Sequence, residues 1–291
     1  MSGKLIDLRK RILSVKNTQK ITRAMKTVSA VKLRKSNTEL NKNKPFMESV
    51  ENLLKRVGQQ LPVEDFPLLK TREEGKQVLV VISSDKGLCG AFNSHVIRSA
   101  EEHWQTISAG DDEAMLIVAG NKAFRYFQKK EYQVSKNFRS MMSKLTYEKV
   151  LEFSTFLQEL YQKENIRKIE IVYTEFLSAG RQEPAIKRLF PIPIEWETQG
   201  TEEKEVEYIF EPDPAEIFQF LLPKYLNSYI YRLLRESEAS EHAARMIAMD
   251  MATRNAGDMI RDLTMILNKA RQSAITKELL EIITATEALR I

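Results

Sequence analysis

"KNTQKITRAMKTVSAVKLRK" (residues 16–35) has the composition of a helix, but not that of a buried helix. It holds seven Lys or Arg, no acidic residue and few large apolar side chains. Neither Pro nor Gly occurs between Lys4 and Lys44, so nothing in the sequence interrupts a helix there. A helix of this kind is either a solvated face or the binding surface for an acidic partner.

An apolar stripe marks the beginning of this N-terminal arm. Its members recur at spacings of 3, 4 and 3 residues, which is typical of a coiled-coil seam: Leu5, Leu8, Ile12 and Val15. We expect the seam to continue at Ile21, after a six-residue step that predicts a weak, locally altered supercoil. Pro45 is expected to kink or end the helix, and "FMESVENLLKRVG" (46–58) resumes a helical pattern that Gly58 closes.

A second long arm follows "FEPDP" (210–214), where acids and prolines combine as they do at a helix start. Two apolar runs repeat the same spacing, with an eight-residue step from Met251 to Met259 between them: Leu222, Leu226, Tyr229 and Leu233, then Met259, Leu263, Ile266 and Ala270. A helix from residue 224 to residue 291 would span about 100 Å, more than a domain of this size can bury. The two arms are therefore expected to wind around each other as an antiparallel coiled coil.

The middle of the chain alternates between strand-like and helical patterns. Strands are predicted at "VLVVISS" (78–84), "AMLIVAG" (114–120) and "KIEIVYTEF" (168–176), helices near 90–107, 121–130 and 147–164, and an edge strand in "PAIKRLFPIPIEW" (184–196). This order predicts an α/β, Rossmann-like domain with a parallel-type sheet. We divide the chain into an N-terminal coiled-coil helix (1–60), a linker with the Rossmann-like domain (61–209), and a C-terminal coiled-coil helix (210–291).

The charge of the chain is concentrated at one end. The net charge is +5 overall, whereas residues 1–60 alone carry 15 Lys or Arg against 4 Asp or Glu. Nucleic acid, anionic lipid or an acidic protein surface would each suit such a block. Residues 1–44 contain no aromatic side chain to stack on bases, but a helix that follows phosphates needs none. A basic coiled-coil protein that binds nucleic acid is therefore one alternative.

Catalytic and metal-binding signatures are missing from the sequence. "SSDKGLCGAFN" (83–93) lies where a strand gives way to a helix, but it lacks both the dinucleotide and the phosphate-loop spacing. It is either a tight βα turn or a loop that contacts a partner. Cys89 is the single cysteine, which excludes an intramolecular disulfide and fits a reducing compartment. An α/β enzyme that binds a nucleotide at the strand ends is unsupported but still open.

Polar residues interrupt the seam near the end of the second arm: Asn268, Lys269, Arg271 and Gln272. They form either ordinary surface or a set of donors for a carboxylate or backbone partner. The arm beyond them carries small and apolar side chains: Ala274, Ile275, Ile282, Ile283, Ala285 and Ala288. If this end extends past its partner helix, such residues need something around them.

Several long motifs, in order, resemble the gamma subunit of F-type ATP synthases. The resemblance is carried by "KNTQKITRAMKTVSAVK", "SSDKGLCGAFN", "FEPDP", "LLPKYLNSYIY", "ASEHAARMIAM" and "NKARQSAITKELLEI". Where the family commonly reads GLCGGLN, this chain has Ala91 and Phe92 in a slightly bulkier turn. The resemblance implies a central rotor shaft that couples ion-driven rotation to ATP synthesis or hydrolysis. It also implies that nucleotide chemistry belongs to the beta subunits, so this chain needs no cofactor and is not itself an enzyme.

The resemblance also implies contact residues. Those expected to meet beta subunits are Lys20, Arg23, Met25, Lys26, Cys89, Arg271 and Gln272, the last two through the catch loop. Tyr208 corresponds to the foot that rests on the membrane rotor ring. The implied partners are the alpha and beta subunits, an epsilon-type subunit and the ring of c subunits, with one copy of this chain per complex and no nucleic acid.

The expected location is the cytoplasmic face of the cell membrane, as a peripheral subunit. The first thirty residues lack the apolar core of a signal peptide, and no run approaches the roughly 20 apolar residues of a membrane span. The absence of a presequence favours a bacterial protein, and a processed mitochondrial form stays open. A single cysteine argues against the plastid members with a cysteine-bearing regulatory insertion.

Overall fold

The computed structural model describes residues 2–59, 61–62, 66–108, 113–193 and 211–288. Helices and strands alternate between two very long terminal helices. In chain order they are α1 (Ser2–Gly58), β1 (Lys76–Ile82), α2 (Phe92–Ser108), β2 (Ala114–Ala119), α3 (Asn121–Lys129), β3 (Val134–Phe138), α4 (Tyr147–Lys163), β4 (Ile166–Ser178), β5 (Arg181–Phe190) and α5 (Pro214–Ala288). By contact density the chain divides into a helical unit (residues 1–30 and 245–291) and a sheet unit (residues 31–244).

The sheet has the order β3-β2-β1-β4-β5. Strand β1 pairs in parallel with β2 and β4, and β2 pairs in parallel with β3. Strand β5 runs antiparallel to β4 and stands last in the order. The α/β class, the parallel sheet and the edge strand are thus confirmed. The sequence did not predict β3, because "VSKNF" (134–138) is short and polar, as suits a strand at the other end of the sheet order.

Both faces of the sheet are covered, which explains why β1 is apolar along most of its length. Residues 78–82 of β1 are all buried. One face packs against α4 and against the parts of α1 and α5 within the sheet unit, and Tyr161, Phe190 and Phe218 are among the largest fully buried side chains there. The other face packs against α2 and α3, around Val96 and Phe127. The sheet unit is therefore a three-layer α/β/α arrangement.

The helical unit pairs the first part of α1 with the last part of α5. Gln19 contacts Thr253, and Lys26 further along α1 contacts the earlier residue Asp250. Position falls along α5 as it rises along α1, so the pair is antiparallel, as predicted. None of the described helices is long and apolar enough to cross a membrane.

Pro45 neither ends nor divides the first helix, because α1 continues through it to Gly58. A proline leaves the carbonyl four residues earlier without its helical donor. That residue is Asn41, and both Asn41 and Pro45 are exposed, so water can serve the free carbonyl. Helix α5 begins at Pro214, and a proline suits the first turn because the backbone N–H that it lacks would have no helical acceptor there. The predicted boundary at 209/210 lies outside the described residues, so the three-part division stays a prediction.

The predicted seam was wrong in its middle. Ile21 is 59% exposed, and Met251, Met259 and Ile266 are also exposed. The buried and half-buried positions of α1 in this unit follow the 3,4 spacing without a step: Leu5, Leu8, Ile12, Val15, Gln19, Thr22, Lys26 and Ser29. Met25 and Ala30 beside them are also half-buried. The later seam positions carry polar side chains. A prediction that follows only large apolar residues therefore moves from Val15 to Ile21 and misses Gln19 and Thr22.

Candidate partner-binding surface

Two of the predicted contact residues on the basic stretch of α1 are cations with no ion-pair partner among the described residues. Lys20 and Arg23 are exposed. Neither side chain has a hydrogen bond or ion pair in the part of the chain that the structure describes. Met25 lies beside them, partly buried. These two charges are therefore free to meet an acidic surface.

Lys26 differs from its neighbours because it is already paired. Its Nζ donates to Asp250 Oδ1 at 2.6 Å, and Asp250 Oδ2 accepts from Arg254 at 2.7 Å. The hydrogen bond from Lys26, together with the charges of Arg254 and Lys26, lowers the pKa of the Asp250 carboxyl despite some desolvation. A carboxylate held by two cations stays ionised, so the pair persists across the neutral range.

Arg271 and Gln272 lie at a different level of the same unit. Gly257 of α5 stands beside Gln19, and the two predicted contact residues lie about 21 Å further along the helix at about 1.5 Å per residue. Both are exposed, and neither side chain has a partner among the described residues. The structure therefore separates Lys20, Arg23, Met25 and Lys26 from Arg271 and Gln272 into two levels.

The end of α5 extends past the last seam contact. Ala274 is buried, and a shallow cavity of about 330 Å³ beside it is lined by Lys4 and Leu5 of α1. Beyond it, residues 275–286 are all exposed, and five of them are large apolar side chains: Ile275, Leu279, Leu280, Ile282 and Ile283. Single exposed apolar residues are ordinary, but a continuous group on one bare helix marks an interaction surface.

The turn after β1 is held rigidly by its own polar groups. Asn93 Oδ1 accepts from the Ser84 amide at 3.0 Å, and Asn93 Nδ2 donates to Cys89 Sγ at 3.1 Å. Asp85 Oδ1 accepts from the first amide of α3, that of Asn121, at 3.0 Å. The amide end of α3, where an α/β protein can hold an anion, is thus occupied by a carboxylate of the chain itself.

Within that turn, Cys89 and Leu88 have opposite environments. Cys89 is 1% exposed, whereas Leu88 is 66% exposed and has a φ of 63°. A leucine in the left-handed region is strained, and the surrounding hydrogen bonds must hold it there. The turn therefore presents Leu88, and not the sulfur, to its surroundings.

Sequence reasoning missed the polar side chains that join the two helices at the level of Arg23. These are Gln19, Thr22 and Thr253, together with the Lys26 and Asp250 pair. The signal was available, because extending the 3,4 spacing of Leu5 through Val15 places Gln19, Thr22 and Lys26 on the seam. Tyr208, predicted to contact the rotor ring, lies outside the described residues.

Similarity to known proteins covers the full length of the chain. The family model described as ATP synthase matches residues 4–289. An ATP synthase gamma chain of Pelotomaculum thermopropionicum is 41% identical over 98% of this chain and 99% of its own length. One from Chlorobium phaeobacteroides is 40% identical, over 98% of each chain.

A solved structure has the same fold. It is a chain of the Euglena gracilis mitochondrial ATP synthase, in a cryo-EM structure of OSCP, F1 and c-ring in rotational state 3. It matches with a TM-score of 0.67 at 19% identity, over 99% of this chain and 95% of that one. The nucleic-acid alternative gains no support from these similarities. Because both the family model and the relatives cover nearly the whole chain, the protein belongs to the ATP synthase gamma chain family.

Proposed function

We propose that this chain is the central shaft of a rotary, F-type ATP synthase. As a gamma chain it is a non-catalytic subunit, and the catalytic sites are those of the beta subunits. Ion flow turns the membrane rotor ring, the ring turns this chain, and the helical unit drives each beta subunit in turn through states of different nucleotide affinity. The coupling ion and the size of the ring are set by the membrane subunits.

The bare end of α5 is the observation that carries the proposal. Its five exposed large apolar residues would be costly in water at about 25 cal/mol per Å² of apolar surface. A ring of alpha and beta subunits around the helical unit would cover them. Because the apolar side chains point from a single helix, the surrounding surface can contact them without locking one orientation.

Below the bare end, the two polar levels are the proposed contacts with beta subunits. Lys20, Arg23, Met25 and Lys26 form the lower level, and Arg271 and Gln272 form the upper one. The free charges of Lys20, Arg23 and Arg271 suit acidic loops, whereas Lys26 contributes mainly through Asp250. Cys89 belongs to a third proposed contact, in which the exposed Leu88 reaches the partner and the buried sulfur supports the turn.

The remaining partners follow from the same proposal. An epsilon-type subunit and the ring of c subunits bind the sheet unit, with Tyr208 at the ring. One copy of the chain serves each complex, and the complex holds it as a peripheral subunit at the cytoplasmic face of the cell membrane.

A rotation assay tests the proposal. Gly180 joins β4 to β5 with open space around it, so a biotin on Gly180→Cys offers a probe that the buried Cys89 does not. We expect the chain to assemble with cognate alpha and beta subunits as one copy per hexamer, and the probe to turn in one direction during ATP hydrolysis. No rotation with competent subunits would overturn the proposal.

A charge reversal tests the lower contact level in the same complex. Lys20→Glu with Arg23→Glu should lower coupled ATP synthesis at least several-fold, because both reversed side chains would repel acidic loops. The matched control is Lys187→Glu, an exposed cation on β5. Normal synthesis in the double variant would remove these residues from the contact.

A further inference from the structure

The helical unit has a groove beside its seam, at the level of Arg23. Its volume is about 450 Å³. Among the residues that line it are Arg23 of α1 and Arg254, Gly257, Asp258 and Arg261 of α5. We name it the arginine groove. The resemblance of the sequence assigned a contact role to Arg23 but none to Arg254 or Arg261, so two of the three arginines are still without a role.

Gly257 keeps the groove open, because it adds no side chain to the face of α5 between Arg254 and Arg261. A glycine inside a helix is less favourable than an alanine. Here a Cβ would stand only 3.1 Å from Gln19 Nε2, which donates to the Thr253 carbonyl. The glycine therefore lets Gln19 lie close to α5, and it also lets a group from outside approach the helix backbone.

Arg254 and Arg261 lie on the same face of α5, two turns apart. Seven residues correspond to about 10 Å along a helix. Arg254 donates to Asp250 Oδ2 at 2.7 Å, and Arg261 donates to Asp258. Both aspartates lie about one turn earlier on α5, so each arginine side chain is held by its own helix. The two arginine side chains are still 78% and 77% exposed, so the other N–H groups of each guanidinium can bind a ligand.

The arginine groove keeps a positive charge despite these pairs. Three arginines and one aspartate line it, which leaves a net charge of +2. Asp250 lies outside the lining, and it is shared with Lys26. Arg23 has no hydrogen-bond or ion-pair partner among the described residues. Exposed ion pairs within one helix are weak, so a carboxylate from a partner can bind the arginines beside the aspartates or in their place.

The lining favours a carboxylate over the other anions that a basic surface binds. None of the described residues that line the groove is aromatic, so no ring is present to stack on a nucleobase. The similarity of the whole chain to gamma chains likewise gives no support to nucleic acid. Arginine binds carboxylates in a bidentate geometry that fixes their orientation. An acidic loop of a partner protein is therefore the occupant that the groove fits best.

We propose that the arginine groove receives an acidic side chain of a beta-subunit loop, and that Arg254 and Arg261 determine the specificity for that loop. The acidic side chain lies over Gly257, between Arg23 and the arginines of α5. Arg23 supplies an unpaired charge, and the arginines of α5 supply donors that are already held in place. The proposal rests on the proposed shaft function, since it is the shaft that meets the beta subunits.

Carbodiimide cross-linking in the assembled complex tests the proposal. The reagent joins a lysine amine to a carboxylate in direct contact with it, and it does not join a guanidinium. Arg261→Lys, assembled with cognate alpha and beta subunits, should therefore gain a cross-link from residue 261 to an Asp or Glu of a beta subunit. Mass spectrometry of the digested product identifies both residues, which separates this cross-link from one within α5 to Asp258.

The matched control is Asn255→Lys, an exposed position of α5 that does not line the groove. It should gain no cross-link to the acidic residue that Arg261→Lys reaches, and equal cross-linking in the two variants would contradict the groove as the place of contact. If the Arg261→Lys complex assembles and rotates without such a cross-link, the groove is overturned and the shaft function stands. If the unsubstituted chain neither assembles nor rotates, both proposals are wrong.

A functional measurement separates a contact role from a structural one. Arg254→Gln with Arg261→Gln should lower coupled ATP synthesis at least several-fold and keep the helix content, because both side chains are exposed. Arg254→Lys with Arg261→Lys should lose less, since it keeps the two positive charges. Unchanged synthesis in the glutamine variant, or equal losses in the two variants, would overturn the assignment of these arginines.

Discussion

Residues 47–57 and residues 19–29 of α1 follow the same 3,4 spacing but differ in chemistry. The first segment places Met47, Val50, Leu54 and Val57 in the core of the sheet unit. The second places Gln19, Thr22, Lys26 and Ser29 on the seam of the helical unit. Spacing therefore decides which face of a helix is covered, and side-chain chemistry decides whether that face packs as an apolar core or pairs through hydrogen bonds and an ion pair.

Residues 47–57 and residues 19–29 also differ in their electrostatic surroundings. Residues 47–57 need no exposed charge for their packing, because the sheet and the other helices of the unit exclude water. The seam of residues 19–29 lies only one residue from exposed cations, so Lys20 and Arg23 stay available while Lys26 is paired. A polar seam thus allows one stretch of helix to bind its partner helix and still present charge.

The largest expected effect comes from shortening a buried apolar side chain in residues 47–57. Leu54 is fully buried, and Leu54→Ala should lower the free energy of unfolding of the sheet unit by about 2–5 kcal/mol, because it leaves a cavity. The measurement is urea unfolding followed by tryptophan fluorescence, since both tryptophans fall within residues 31–244. The neighbouring Leu53 is 38% exposed, and Leu53→Ala is the matched control. Equal losses in the two variants would contradict the burial assigned to this face.

Much of the sheet unit is predictable because its signals are local. Strand β1 contains a continuous apolar run, and β4 is a long segment rich in β-branched residues. Each can therefore be recognised as a strand from its own sequence. The strand β3 has neither signal, and its place comes from pairing with β2. A short polar edge strand depends on tertiary contacts, which a local pattern does not contain.

The contact surface is less predictable, because its geometry depends on pairing between distant parts of the chain. The resemblance supplied Arg23 and Lys26 as equivalent cations, whereas the structure pairs one with Asp250 and leaves the other open. That difference needs the register of α1 against α5, which lie more than 200 residues apart in sequence at this contact. The burial of Cys89 likewise depends on the turn that Asn93 closes.

An intermediate effect is expected from the ion pair between Lys26 of residues 19–29 and Asp250. The pKa of Asp250 is lowered in the folded chain, so the pair stabilises the fold at pH values above the usual 3.8 of an aspartate. That contribution is lost as the pH falls through the lowered pKa. Asp250→Asn should therefore lower the thermal midpoint near pH 7, and its difference from the unchanged chain should shrink toward pH 3.

Circular dichroism of the helices measures this difference across the pH range. The control is Asp262→Asn, which changes an exposed carboxylate of α5 that has no hydrogen-bond or ion-pair partner among the described residues. It should shift the midpoint little at any pH. A difference for Asp250→Asn that grows on acidification would contradict the direction of its pKa shift.

The smallest effect is expected at Ile21, and it tests which residues of α1 lie on the seam. Ile21 is a large apolar residue within the polar segment, but it is 59% exposed, so Ile21→Ala should change the free energy of unfolding by no more than about 0.5 kcal/mol. Ile12 occupies the seam, and Ile12→Ala should cost about 2 kcal/mol. Helix content during urea unfolding of the isolated chain measures both. Alanine favours the helix equally at the two sites, so the difference between them reports burial alone. Similar losses at both positions would place Ile21 on the seam and contradict the frame that runs through Gln19 and Thr22.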